Sequence, residues 1–171
     1  MAQFILASAS PRRKELLNRL ELSFEIIPSS VEENYNNGMA PPEMAKRWAL
    51  KKARAVAATH PETIVVGADT IVVLEGNILG KPKDPSEAVA MLRKLSNKSH
   101  TVHTGVALLQ KSNKAVISFV ESTEVTYFEL DETLISSYVA TGSPMDKAGA
   151  YGIQDGSAYF VEKVNGCYHN V

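Results

Sequence analysis

Apolar and polar positions follow two rhythms along the chain, and the switches between them predict an alternation of strands and helices. Residues 3–7 form a largely apolar run of strand length, and residues 11–20 space Leu16, Leu17 and Leu20 along one helix face. "SFEIIP" at 23–28 reads as a second strand. A polar loop, "SSVEENYNNGMAPP", then leads to a long helix over 43–59. The stretch "TIVVGADTIVVLEGNILGKP" has strand character on both sides of a turn at Glu75-Gly76-Asn77. Asp84-Pro85-Ser86-Glu87 has the spacing of a capping box and opens a helix running to Leu95. Residues 100–110 and 115–130 predict two strands joined by "KSNK", and Asp131 caps a helix over "ETLISSYVAT" that stops at Gly142. The tail carries a glycine-rich loop, "DKAGAYGIQDG", and two further strands about the hairpin turn Asn165-Gly166. The pattern predicts one α/β domain over 1–171. In it a mixed twisted sheet is flanked by helices and a cleft divides two lobes.

Composition changes that picture only by exclusion. A chain of 171 residues with 44% hydrophobic and 22% charged residues can bury a core of ordinary size. A net charge of −1 argues against a stable nucleic-acid binder. The opening "MAQFILAS" lacks the basic region of a signal peptide, and no run approaches the ~18 apolar residues of a membrane span. The expected setting is the cytoplasm, with no membrane partner. The single cysteine, Cys167, is expected as a small buried residue in a strand.

Local chemistry is more informative. In "LASASPRRKELLNRL", Ser10 stands at an N-cap and Pro11 at the first helical position. A helix start favours acids, yet Arg12, Arg13 and Lys14 follow. Such a cluster calls for an anion. Asp69 lies within "IVVGADTIVVL", where an unpaired carboxylate would cost several kcal/mol. It is therefore expected to be paired, metal-bound or catalytic, and Gly67 before it suggests a bulge or bend that aims it into a cleft. Lys52 falls in the middle of the stripe Ala45, Trp48, Ala49, Ala53 and Val56; it either snorkels outward or meets an anion.

"GNILGKPK" is not a P-loop: three residues separate Gly76 from Gly80, and Pro82 follows Lys81. What remains is a lysine at a strand end. Glu32 and Glu33 are a loop pair of the kind usually solvated, though one could join Asp69 around a hard cation. His100 and His103 point to opposite faces of a strand and make no metal site. Gly149, Gly152 and Gly156 mark backbone that a ligand can approach, and Gln154 among them could read a base edge. Ser8, Ser10, Arg12, Arg13, Lys52 and Lys81 as anion partners, with Asp69 and Glu33 as acids, suit a nucleoside triphosphate with magnesium.

In these segments the chain resembles the Maf family of nucleoside triphosphate pyrophosphatases, once named as septum-formation inhibitors. The resemblance is carried, in order, by "LASASPRRKELL", "SSVEEN", "WALKKARAVA", "VVGADTIV", "GKP", "HTGVAL", "DKAGAYGIQ" and "NGCYHNV". It implies a cytoplasmic homodimer with a two-lobed Maf/ITPase-like fold. It also implies hydrolysis between the α- and β-phosphates. "GADT" with "YGIQ" resembles the branch acting on dTTP and UTP, with modified pyrimidine nucleotides as further candidates.

By matching positions, Asp69 would be the proton acceptor, and Arg12, Thr70 and Gln154 the selectivity residues. Ser8, Arg13, Lys52 and Lys81 would contact phosphates. Glu33 and Asp69 would hold a divalent cation, magnesium with manganese as the alternative. The rival reading is a non-catalytic nucleotide sensor that regulates cell division. Two departures stand out: Asp155 where family members commonly have glycine, and an ending at Val171 without the family's C-terminal segment.

Overall fold

In the computed structural model, which describes residues 3–35 and 38–171, the alternation of apolar runs becomes a mixed α/β fold. The elements are β1 (Phe4–Leu6), α1 (Pro11–Asn18), β2 (Phe24–Ile26), α2 (Pro41–Ala57), β3 (Ile64–Leu74), β4 (Asn77–Leu79), α3 (Pro85–Leu95), β5 (Ser99–Gln110), β6 (Ala115–Tyr127), α4 (Glu132–Ala140) and β7 (Val161–Asn165). The sheet order is β2-β1-β3-β5-β6-β7, with β4 on β3. β1 is parallel to β2 and β3, whereas β4 and β7 pair antiparallel to β3 and β6. No helix among the described residues is long and apolar enough to cross a membrane.

The chain divides into two compact units. The first runs to Asp69 and takes in Thr104–Val120; the second holds Thr70–His103 and Glu121–Val171. In the first, α2 lays its alanines on the strands: Ala49, Ala53 and Ala57 pack with Ile5, Val65 and Leu109. Two glycines make that approach close enough. A Cβ at Gly67 would lie 2.8 Å from the Ala53 nitrogen and nearer still to the Ala49 carbonyl, and one at Gly105 would overlap the Ala45 carbonyl. At Gly67 only a residue without a side chain permits this approach. β3 runs unbroken past it, and glycine serves the helix above.

The second unit closes over α3 and α4, with Leu92, Leu95, Ile135, Tyr127 and Phe160 in its core. Both helices start as expected. Asp84 accepts from the Glu87 N–H at 2.9 Å and Asp131 from the Leu134 N–H at 2.7 Å. His100 is buried there against the rings of Tyr127 and Tyr151, with Nε2 2.6 Å from the Tyr151 hydroxyl. Its Nδ1 has no partner among the described residues.

Burial lowers the His100 pKa to about 4, from an unfolded value of 6.5. Between those pH values the unfolded chain binds the extra proton, so stability falls as pH drops through this window. We expect this one group to account for at most roughly 3 kcal/mol of that loss. Denaturant midpoints from pH 4 to 7 should therefore fall less steeply in His100→Gln than in the parent. Equal slopes would mean that His100 is protonated within the fold.

Three expectations about the elements are corrected. The first helix ends at Asn18, so Leu20 lies beyond it and is exposed. No strand follows Gly166; the chain turns through a 3-10 segment, Tyr168–Asn170. Cys167 is exposed and outside any strand. Its amide donates to Thr123 Oγ1, and that hydroxyl donates to the Cys167 carbonyl, so a side chain replaces the ladder.

Candidate functional site

The first unit gathers most of the charged residues singled out above. Ser8 follows β1 and is buried; its Oγ accepts from the Ser10 amide at 3.2 Å and from Arg13 Nη1 at 3.0 Å. Ser10 takes the N-cap position and Pro11 the first helical one, but no side chain caps α1. The first turn of α1 itself holds no acidic residue. Instead the field of Asp69 and Glu33 acts on Arg13, while burial pulls its pKa below the ordinary arginine value. Arg12 is half-buried in the first turn.

Asp69 is 2% exposed on β3, and Lys52 reaches it from α2 with Nζ 2.6 Å from Oδ1. Lys52 also pairs with Glu33, and its side chain is 12% exposed. It does not snorkel. Its place in the apolar stripe of α2 turns it toward the strand, where two carboxylates meet it. Glu33 comes from the loop after β2 and is exposed like Glu32, but its carboxylate is engaged by Lys52 and Tyr35, so the purely solvated reading fails for it.

Tyr35 completes the group. Its hydroxyl donates to Glu33 Oε2 at 2.8 Å and lies 3.4 Å from both Asp69 oxygens, and its ring meets Trp48 edge-on. Sequence reasoning missed Tyr35. A tyrosine in a polar loop carries no periodic signal, and only its spacing of two from Glu33 could have suggested a shared target.

The environment separates the two acids. Burial pushes Asp69 up to about 6 despite the opposing charge and hydrogen bond of Lys52. Burial acts on Glu33 in the same sense, but the Lys52 hydrogen bond and charge outweigh it and hold Glu33 below its ordinary value. One carboxylate keeps its charge, and the other is a base of useful strength near neutral pH. Both bond the same ammonium and the same phenol, so they face one position. Among the described residues no group of three or more His, Cys, Asp or Glu could hold a metal. Glu33 and Asp69, whose oxygens also serve Lys52 and Tyr35, are the two carboxylates here with the hard oxygen donors that a divalent cation would need.

The second unit carries the remaining candidates. Thr70 is half-buried directly after Asp69 on β3. Lys81 is exposed just past β4, where the backbone of Gly80 accepts from the Gly149 amide at 3.0 Å. Gln154 is exposed, and its Nε2 donates to the Val171 carbonyl at 3.1 Å. A carbonyl accepts only from the amide nitrogen, so this bond fixes which end of the carboxamide is which. Sequence reasoning did not point to Val171 as the orienting partner.

Both fold and sequence have counterparts among known proteins. The architecture is that of two solved Ham1 proteins. One, from Coxiella burnetii, has a TM-score of 0.51 and 19% identity, covering 74% of this chain and 73% of that one. The other, from Staphylococcus aureus, has a TM-score of 0.51 and 15% identity, covering 72% and 71%. At such identity the likeness concerns fold alone.

The sequence is more specific, and over residues 3–171 the chain belongs to the family described as Maf-like protein. It is 52% identical over all 171 residues to a Bacillus cytotoxicus protein named dTTP/UTP pyrophosphatase, covering 88% of it. Proteins of the same name from Geobacillus sp. and Pelotomaculum thermopropionicum are 50% and 47% identical over the same 171 residues, which cover 91% and 90% of them.

Proposed function

We propose that this protein hydrolyses dTTP and UTP between the α- and β-phosphates, releasing the nucleoside monophosphate and pyrophosphate. One observation carries the reading. Asp69, buried in an apolar strand with its proton affinity raised to about 6, is held beside Lys52, Glu33 and the cationic start of α1. The full-length relatives named for this activity support it, and they do not favour a non-catalytic sensor.

In the reaction a water oxygen bonds to the α-phosphorus as the bond to the bridging oxygen breaks, and the electron pair leaves with pyrophosphate. The water's proton passes to an Asp69 oxygen. Lys52, Arg13 and the Ser8 hydroxyl offer donors to phosphate oxygens, where charge-assisted bonds are strongest. Glu33 and Asp69 would hold a divalent cation, magnesium or manganese, which when bound supplies charge neutralisation on the phosphates. The family resemblance assigns a phosphate contact to Lys81 and base selection to Arg12, Thr70 and Gln154.

A cytoplasmic homodimer belongs to the same proposal. The outer edge of β6 suits a second copy: β7 pairs only from Glu124 onward, leaving Ala115–Val120 as open edge with Val116, Ile117 and Phe119 exposed. The test of activity is pyrophosphate release by the purified protein from dTTP, UTP, CTP, ATP and GTP with magnesium present. Rapid release from dTTP and UTP supports the reading. Release from neither overturns it.

Base choice gives a sharper measurement. With Nε2 of Gln154 on the Val171 carbonyl, Oε1 is left to accept the N3–H of uracil or thymine, and the second amide hydrogen can meet a ring carbonyl. Cytosine presents an acceptor at N3 and a donor at the 4-amino group, which in the same pose requires a flipped amide. Gln154→Glu removes the donors and should shift the UTP-to-CTP ratio of kcat/KM toward CTP by about 1–3 kcal/mol. An unchanged ratio would mean that Gln154 does not read the base.

A further inference from the structure

We propose that Asp155 is a positioning residue for base selection: its carboxylate fixes the turn whose apex is Gln154. The proposal rests on the base-reading role given to Gln154 above. Asp155 is half-buried and its two oxygens are shared among four donors from three parts of the second unit. Oδ1 accepts from the Ser157 amide at 2.9 Å and from the Tyr138 hydroxyl at 3.0 Å, which also lies 3.1 Å from Oδ2. Oδ2 accepts from Ser143 Oγ at 2.6 Å and pairs with Lys147 Nζ at 3.4 Å. One carboxylate therefore ties its own turn to α4 through Tyr138 and to the segment after α4 through Ser143 and Lys147.

The flanks of Gln154 are held by the same arrangement. The Asp155 amide donates to the Gly152 carbonyl at 3.0 Å, and Ser157 Oγ donates to that carbonyl at 2.8 Å. The Lys147 stem lies against Gly152 so closely that a Cβ there would be 3.0 Å from Cε. Lys147 is 8% exposed, and its ammonium is satisfied by the Ser143 carbonyl, Ser143 Oγ at 3.1 Å, Asp146 at 2.9 Å and Asp155.

Removing the Asp155 carboxylate would take the acceptor from the Ser157 amide, the Tyr138 hydroxyl and Ser143 Oγ at once, and leave Lys147 with Asp146 as its acid, so the turn loses its ties to α4 and to the segment after it. Among the described residues the exposed carboxamide of Gln154 bonds beyond the turn to the Val171 carbonyl alone, so its direction follows the backbone beneath it. Asp155 takes no part in the proton transfer or phosphate contacts proposed above, and kcat should not depend on it strongly.

The experiment measures kcat and KM for UTP and CTP in the parent, Asp155→Ala, Asp155→Asn, Ser143→Ala and Gln154→Glu, with amide exchange at residues 152–155. In Asp155→Ala the UTP-to-CTP ratio of kcat/KM should fall ~10-fold, through KM, while kcat for UTP stays within ~3-fold. Asp155→Asn, which keeps one acceptor oxygen, should lose less, and Ser143→Ala should shift the ratio the same way. Exchange at 152–155 should quicken in Asp155→Ala.

An unchanged ratio, or a loss of kcat equal for both nucleotides, overturns the proposal, because a merely structural residue would act that way. If Asp155→Ala does not fold, Asp155→Asn and Ser143→Ala decide it by the same ratio. If Gln154→Glu leaves the ratio unchanged, base selection by Asp155 falls with it. If the parent releases no pyrophosphate, the proposed function has failed, and unquickened exchange would separately refute the positioning of the turn.

Discussion

Replacing Asp69 by asparagine should leave a folded protein whose turnover of dTTP is lower by at least ~10²-fold, the scale on which a positioned base contributes. Asparagine has the same shape, and its carbonyl oxygen can still accept from Lys52, which stands 2.6 Å from Oδ1 in the parent. What the amide lacks is a place for the water's proton. Near-normal turnover in the folded variant would remove Asp69 from the chemistry.

The pH profile gives the same test a second readout. A base works when unprotonated, so kcat/KM of the parent should climb with pH through about 6, where Asp69 loses its proton. Because Glu33 shares Lys52 with Asp69, the inflection belongs to the pair. Below it the rate should fall about tenfold per pH unit, and that acid limb should vanish in Asp69→Asn. Pyrophosphate release abolished in this variant would also exclude the non-catalytic sensor, which requires only that the pocket bind.

Much of this site was legible because its residues break a pattern. Asp69 interrupts an apolar strand and Lys52 an apolar helix stripe; burial then forces such charges together, so the two anomalies predict one another. Arg12 and Arg13 were conspicuous in the same way, as cations at a helix start. Tyr35 breaks no pattern, since loop positions have none, and only the fold could bring its hydroxyl to the two acids.

Asp155 stood out in the sequence only as a departure from family glycine. Its partners Tyr138, Ser143 and Lys147 are 17, 12 and 8 residues away, beyond any local rule. The hairpin expected at Asn165-Gly166 failed for the opposite reason. The turn signal is local, but a strand after it needs a neighbour. There Thr123 Oγ1 takes the Cys167 amide, and Asn170 Nδ2 donates to the Val102 carbonyl and to Thr123.

Gly67 joins the fold to the chemistry, and its substitution should damage both. A methyl group there would lie 2.8 Å from the Ala53 nitrogen and 2.9 Å from its Cβ, with the Ala49 carbonyl nearer still. Two of these three atoms are helix backbone, which no rotamer change can move aside. α2 must therefore lift from β3, where Ala49 and Ala53 are fully buried, and it cannot tilt inward elsewhere because Gly105 sits against Ala45. Such overpacking typically costs 1–3 kcal/mol, and backbone against backbone belongs at about 3. For a chain of this size that lowers Tm by roughly 6–12 °C. The displaced helix also carries Lys52, whose ammonium meets the carboxylate two residues beyond Gly67. A misplacement of about 1 Å there can cost on the order of 10²-fold in rate. Gly67→Ala should thus melt earlier and turn over dTTP far more slowly, even well below its Tm. Gly80→Ala is the control, since a Cβ there meets nothing within 4 Å, and its Tm should match the parent's. A Gly67→Ala protein with parental Tm and kcat would show that α2 does not rest on β3 at this glycine and that the Lys52–Asp69 contact does not depend on it.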